Sequence, residues 1–254
     1  MIYNFGLKKS LQASTISVIL GTNLGIAGLD PQAFAQTAPV SSVGNGVTFS
    51  CNDTEATIKA KNRPRVTIGT TNIYIGYQQV SSVNKDPRLI RFDNGVKRWC
   101  RSDYETTNDD GTGYGLISNG KLDASGILYG VFSSTGTQTG SDFRRFATGR
   151  WLPSYGSGGG SKVAVIARIS PVNGDVNYAT FLSAILSSGK SNSLIVKGLA
   201  WNGTSLTVTA DSWWSPRRID KKPLTCSGSS PFKYTAVFSG DLTKVNSVSA
   251  VNCQ

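Results

Sequence analysis

The stretch of this sequence with the most chemical potential is Trp213-Trp214-Ser215-Pro216-Arg217-Arg218. Paired indoles offer a platform for a sugar ring, and paired guanidinium groups hold a sulfate, phosphate or carboxylate in bidentate geometry. Strand alternation offers a plainer role, with one indole in the core and the other over an edge. A second basic and aromatic cluster, Arg144, Arg145, Arg150 and Trp151 with Phe143, Phe146 and Tyr155 interleaved, sits in a Gly-rich insert. Spaced positive charges of this kind neutralise a polyanion while the rings stack. The plainer role here is that the arginines solubilise the insert and the rings pin it down. Catalytic chemistry is thinner. The chain has no histidine, which excludes Ser-His-Asp and Cys-His mechanisms and His-bearing zinc sites. Asp103 and Glu105 are two apart and share a face if the segment is extended, as a glycosidase requires of its two acids. Asn108-Asp109-Asp110-Gly111-Thr112-Gly113 carries oxygens suited to calcium, but it lacks the ligand spacing of an EF-hand loop and reads as a turn. No catalytic residue, metal or cofactor is expected.

The N-terminus and the cysteines speak to compartment. Residues 1–35 have the form of a secretory signal: Lys8 and Lys9, a short apolar stretch from Ile16 to Leu29 broken by Gly21, Thr22 and Asn23, and Ala33-Phe34-Ala35 before Gln36. A spanning helix needs about 20 uninterrupted apolar residues, so cleavage after Ala35 is expected rather than anchoring, and no later run is long enough to span. Cleavage leaves 24 basic and 14 acidic residues, a formal +10. Cys51, Cys100, Cys226 and Cys253 all follow the signal, and an even number outside the cytoplasm favours two disulfides. Pairing Cys51 with Cys100 and Cys226 with Cys253 keeps each bond at one end of the chain. A Cys51–Cys253 bond joining the two ends competes with it.

The elements that must position these residues are strands. Glutamate occurs only at Glu55 and Glu105 and methionine once, while glycine contributes 28 residues, so helix formers are too scarce for a bundle. Residues 36–45 read as a flexible lead-in, and 46–254 as one all-β domain. Within it, short β-branched and aromatic runs bounded by Gly, Asn, Asp and Pro mark strands. They group into three consecutive four-stranded antiparallel units, about 64–104, 111–184 and 192–253. Turns at Asp93-Asn94-Gly95, Pro171-Val172-Asn173-Gly174-Asp175 and Gly240-Asp241-Leu242 join the last two strands of each. Such recurrence is the signature of propeller-like blades.

The stretch Leu122-Asp123-Ala124-Ser125-Gly126-Ile127-Leu128-Tyr129-Gly130, then Val163 to Ile169 running into Pro171-Val172-Asn173-Gly174 and Val176 to Leu182, resembles the bacterial SBBP beta-propeller repeat. The likeness is clear over 111–184, fair over 64–104 and faint over 192–253, where the turn is Trp201-Asn202-Gly203-Thr204. It implies a fold of antiparallel blades and little about activity. Three blades do not close an ordinary ring, and bare strand edges and blade faces call for cover. A homodimer completing six blades, with first and third units in contact, is therefore expected, or else a three-unit β-structure of another kind. The inserts 135–161 and 212–230 fall on corresponding loops, where binding residues often lie.

The charge, the two aromatic-Arg clusters and the lack of catalytic machinery point to a secreted or periplasmic, non-enzymatic binding module. Its partner would be an anionic polysaccharide or other anionic surface polymer, not nucleic acid. A carboxylate-based polysaccharide hydrolase or lyase, and an envelope protein-protein interaction module using open edges, are the alternatives.

Overall fold

The computed structural model describes residues 38–61, 64–105, 110–135, 141–156 and 162–254. The signal read over 1–35 lies outside them, as do Asn108 and Asp109 of the acidic turn. After β1 (Val40–Val43) and a short helix α1 (Glu55–Ala60), the chain runs through β2 (Arg65–Ile68), β3 (Thr71–Gln79), β4 (Lys85–Asp93) and β5 (Val96–Arg101). A second meander follows: β6 (Thr112–Ser118), β7 (Leu128–Ser134), β8 (Val163–Ile169) and β9 (Val176–Leu182). A small hairpin, β10 (Ala184–Ile185) and β11 (Ser191–Asn192), leads to the third: β12 (Leu194–Trp201), β13 (Ser205–Ser212), β14 (Phe232–Ser239) and β15 (Val245–Ala250). All pairings between these strands are antiparallel and each meander pairs in chain order. The protein is thus all-β with three consecutive four-stranded units. Among the described residues the sheets close into neither a barrel nor a propeller ring.

The turn chemistry explains the two-residue hairpin between β4 and β5. Asn94 and Gly95 both have positive φ, +50° and +77°, the conformation that matches a two-residue loop to the twist of its strands. In the third unit the corresponding turn puts Leu242 at φ +60°. That non-glycine residue is held there because its side chain is fully buried and its carbonyl accepts the Trp151 backbone N–H at 2.8 Å.

The three units are repeats in register as well as in order. Between the third and fourth strands, each carries a β-bulge at the same place: Arg91/Phe92, Arg168/Ile169 and Val237/Phe238. Aligning on it makes Ile73, Tyr129 and Thr207 equivalent, since each pairs with the residue just before the bulge. Leu89, Ile166 and Thr235 are equivalent two residues earlier. The first two members of each set pack between units. Arg91 Nη1 donates to Leu122 O and Pro171 O, both at 2.7 Å, and Arg168 Nη1 donates to Gly240 O at 3.1 Å. Each arginine therefore reaches into the next unit, and in both cases one of its targets lies in the turn before that unit's fourth strand. Trp99 and Tyr104 reinforce the first junction, donating to Pro171 O and Gly174 O, and Tyr129 packs on Trp201 at 5.6 Å in the second. One apolar cluster runs through all three sheets as a result, from Ile73 and Leu89 through Val131 and Ile166 to Leu206 and Phe238.

The chain itself covers one end of this stack and two of its strand edges, while the outer face of the third sheet stays in solvent. On the far face of the first sheet Tyr74, Ile90 and Phe92 form a separate cluster with Phe49 and Ile58 of α1. The Cys51–Cys100 disulfide ties that cover down. Cys226–Cys253 is the other bond, so the pairing within each end of the chain is the one that forms. Residues 36–45 are not simply a flexible lead-in: Val40–Val43 pairs with β6 and covers its edge, because Val40 and Val43 gain burial against the core that a free tail would forgo. The edge of β9 is covered likewise, Phe181 N–H donating to Leu152 O.

Candidate functional site

The structure joins the two basic-aromatic inserts and sorts their members into buried and exposed. Trp151 is buried at 3 % exposure, edge-on to Phe238 at 5.6 Å, with Nε1 donating to Ile219 O at 2.9 Å. It is core, not a ligand platform: its position after the 3₁₀ turn Phe143–Phe146 carries it under the 212–230 insert. Arg217 is buried too, at 7 % exposure. Its Nε donates to Ser183 Oγ at 3.1 Å, Nη1 to Lys221 O at 3.0 Å and Nη2 to Ser191 Oγ at 3.4 Å. Ser191 in turn donates to Tyr155 O. Burial lowers the pKa of Arg217, no carboxylate being among its partners. The residue is a clamp between the β10–β11 hairpin and the two inserts, and it is withdrawn from ligand.

The remaining arginines are engaged as well. Arg144 is ion-paired with the buried Asp142, Nη2 to Oδ2 at 2.6 Å. Arg145 donates to Asp103 O at 2.6 Å and lies 4.5 Å over the Phe146 ring. Arg150 donates to Asp241 O at 3.2 Å and lies 4.3 Å over Tyr178, whose ring Arg168 also approaches. The segment 141–156 thereby packs as structure against β9 instead of standing off as a loop.

Trp213 and Trp214 behave otherwise. Both are 44 % exposed, so neither enters the core as alternation suggested, because the strand ends at Ser212 and the chain bends there. Their backbone is fixed: Trp213 N–H donates to Ser193 O at 3.0 Å, Asn192 Nδ2 to Trp213 O at 3.3 Å and Ser212 Oγ to Trp214 O at 2.7 Å. Beside them Ser215 pairs with Ile185, and Arg218 is exposed, 3.5 Å from Asp220. Two indoles held by their main chain with their rings half in water are pre-organised for stacking, since little side-chain entropy is lost on contact.

The carboxylate pair does not assemble. Asp103 is exposed and held by Arg101, whose hydrogen bonds, more than its charge, keep that carboxyl below its usual pKa, while Glu105 is buried. Asp110 of the acidic turn is ion-paired with Lys162 at 3.0 Å.

Sequence reasoning missed a second surface. The solvent face of the third sheet carries Ile195, Asp211 and Lys233 in one cross-strand row and Thr209, Thr235 and Ser249 in the next. Lys197 and Lys233 share Asp211, at 3.7 and 2.6 Å. A groove of about 430 Å³ is lined by Lys197, Thr209, Asp211, Lys233, Thr235 and Ser249 among others. The signal that finds it is register, visible once the bulges are aligned. A separate pocket of about 280 Å³, lined by Gly44, Tyr114, Lys162 and Val196 among others, opens where β1, β6 and β12 meet. No family model, curated protein or solved structure matches this chain.

Proposed function

We propose that this chain is an exported, non-enzymatic module that binds an acidic polysaccharide or related anionic surface polymer, with Trp213, Trp214 and Arg218 as its platform. The observation that carries this reading is the pair of adjacent, main-chain-anchored indoles left half in solvent, followed four residues on by the exposed Arg218, which is paired with Asp220 at 3.5 Å. Rings stack on sugar faces, and a basic chain draws in a polyanion. Two disulfides and the absence, among the described residues, of a helix able to cross a membrane are compatible with a secreted or periplasmic setting. The three bulge-matched meanders are read as repeats of one propeller-type unit of the SBBP kind, run as an open stack.

The test is retention on an immobilised acidic polysaccharide against a neutral one at rising salt. Arg218→Ala should weaken binding chiefly at low salt, where the Debye length exceeds about 10 Å. Trp214→Ala should weaken it at every salt concentration. N-terminal sequencing of the exported protein should begin at Gln36. Wild-type protein that ignores every anionic glycan at low salt would remove the proposal.

A further inference from the structure

The third sheet ends the stack with a face that its two predecessors bury. At the positions where units one and two place Ile73 and Tyr129, Leu89 and Ile166, Arg91 and Arg168, unit three has Thr207, Thr235 and Val237. A terminal repeat needs a polar outer face for solubility, and that alone accounts for the threonines. It does not account for what stands at one end of the face. Ile195 is 37 % exposed there, and the exposed Trp213, the first residue past β13, is held beside the start of β12, the strand of Ile195, by its N–H to Ser193 O at 3.0 Å. Nor does it account for the charge: two ammonium groups converge on the single Asp211 carboxylate, leaving a local +1 at the floor of the groove. This is a place where a carboxylate already sits between two lysines and where a second is still attracted.

We infer that this face is the bed along which the glycan lies, and that its ligand is a polyuronate: Trp213 stacks on one sugar ring, Lys197 and Lys233 meet uronate carboxylates, and Thr209, Thr235 and Ser249 face ring hydroxyls. The inference rests on the proposed binding function and extends it from the platform to a path across the sheet. Charge complementarity selects the occupant, since the hydroxyl-rich rows offer a second protein little apolar area to bury.

Asp211 supplies a test whose sign is unusual. It competes with the ligand for both lysines, so Asp211→Asn should raise affinity for polygalacturonate, by about twofold to fivefold at low salt if each freed ion pair is worth what exposed pairs usually are. Lys197→Ala with Lys233→Ala should lower it by a similar factor per lysine and flatten its salt dependence, without altering retention on a neutral polysaccharide. The two lysines are exposed and Asn keeps the size and shape of the mostly buried Asp211 side chain, so far-ultraviolet dichroism should show all variants folded. Unchanged affinity in the Asp211 and lysine variants, with loss in Trp214→Ala or Arg218→Ala, would overturn the bed and leave the platform standing. Loss in the lysine variants with none in Trp214→Ala or Arg218→Ala would support the bed and remove the platform. A wild-type dimer in light scattering that Lys233→Ala dissociates would overturn the inference by showing the face to be a self-interface.

Discussion

The arginine that joins the first two units offers the sharpest test of the repeat register. Replacing Arg91 by methionine keeps most of its apolar bulk and removes the guanidinium fork. Arg91 is only 14 % exposed in its side chain and gives up two short bonds to Leu122 O and Pro171 O, together with its ion pair to Asp93 at 2.8 Å. Hydrogen bonds from a charged donor contribute about 1.5–3 kcal/mol each, so the ceiling for the two carbonyls is about 3–6 kcal/mol. The loss falls short of it because some partners are shared. Trp99 Nε1 still serves Pro171 O, and Thr71 and Arg98 still serve Asp93; only Leu122 O loses its side-chain donor. A loss of about 3 kcal/mol is expected. Arg168 makes one such bond, to a carbonyl that Tyr129 Oη–H also supplies, so Arg168→Met should cost about half as much. Urea unfolding of the disulfide-bonded protein measures both as shifts in midpoint at unchanged slope. A cost below about 1 kcal/mol for Arg91→Met, or a larger cost for Arg168→Met, would refute the inter-unit reading.

Trp151→Ala should destabilise by about 3–5 kcal/mol, the usual cost of emptying a buried aromatic site, whereas Trp214→Ala should cost well under about 1 kcal/mol; equal melting temperatures for the two would reverse the sorting of core from platform. Removing Cys51–Cys100, with its sequence separation of 49, should cost about 4 kcal/mol, and Cys226–Cys253, with 27, slightly less, if loop entropy governs; denaturant titration of the paired Ala variants checks the order. Asp241 accepts from Ser239 Oγ, and from the backbone and hydroxyl of Thr243, which hold its carboxyl down to about 2. A depressed carboxyl adds stability above its unfolded pKa and loses it as pH falls through the folded one. The melting temperature should therefore drop between pH 4 and 2, and Asp241→Asn should shallow that drop; superimposable curves would contradict it.

Strand positions, the three four-stranded units, the three turns and the shortage of helix were legible in the sequence because each depends on local chemistry. Alternating β-branched residues need a pleated surface, and Asn94-Gly95 tolerates the positive φ a tight hairpin demands. The disulfide partners were narrowed but not decided by spacing, since bonding depends on which sheet edges meet. What covers one end of the stack and its strand edges was not legible. Val40–Val43 becomes a strand only because β6 has a free edge to pair with, and α1 settles on the first sheet only because Tyr74, Ile90 and Phe92 face outward there. The candidate site divided along the same line. Sequence marked the tryptophans and arginines by type, but type does not distinguish Trp151, buried under another insert, from Trp213 and Trp214, which stand past a strand end. Nor does it separate Arg217 from Arg218, adjacent residues that the fold places in the interior and in water. Lys197, Asp211 and Lys233 lie as many as 36 residues apart and meet only when the hydrogen-bonded register of β12, β13 and β14 brings them onto one face.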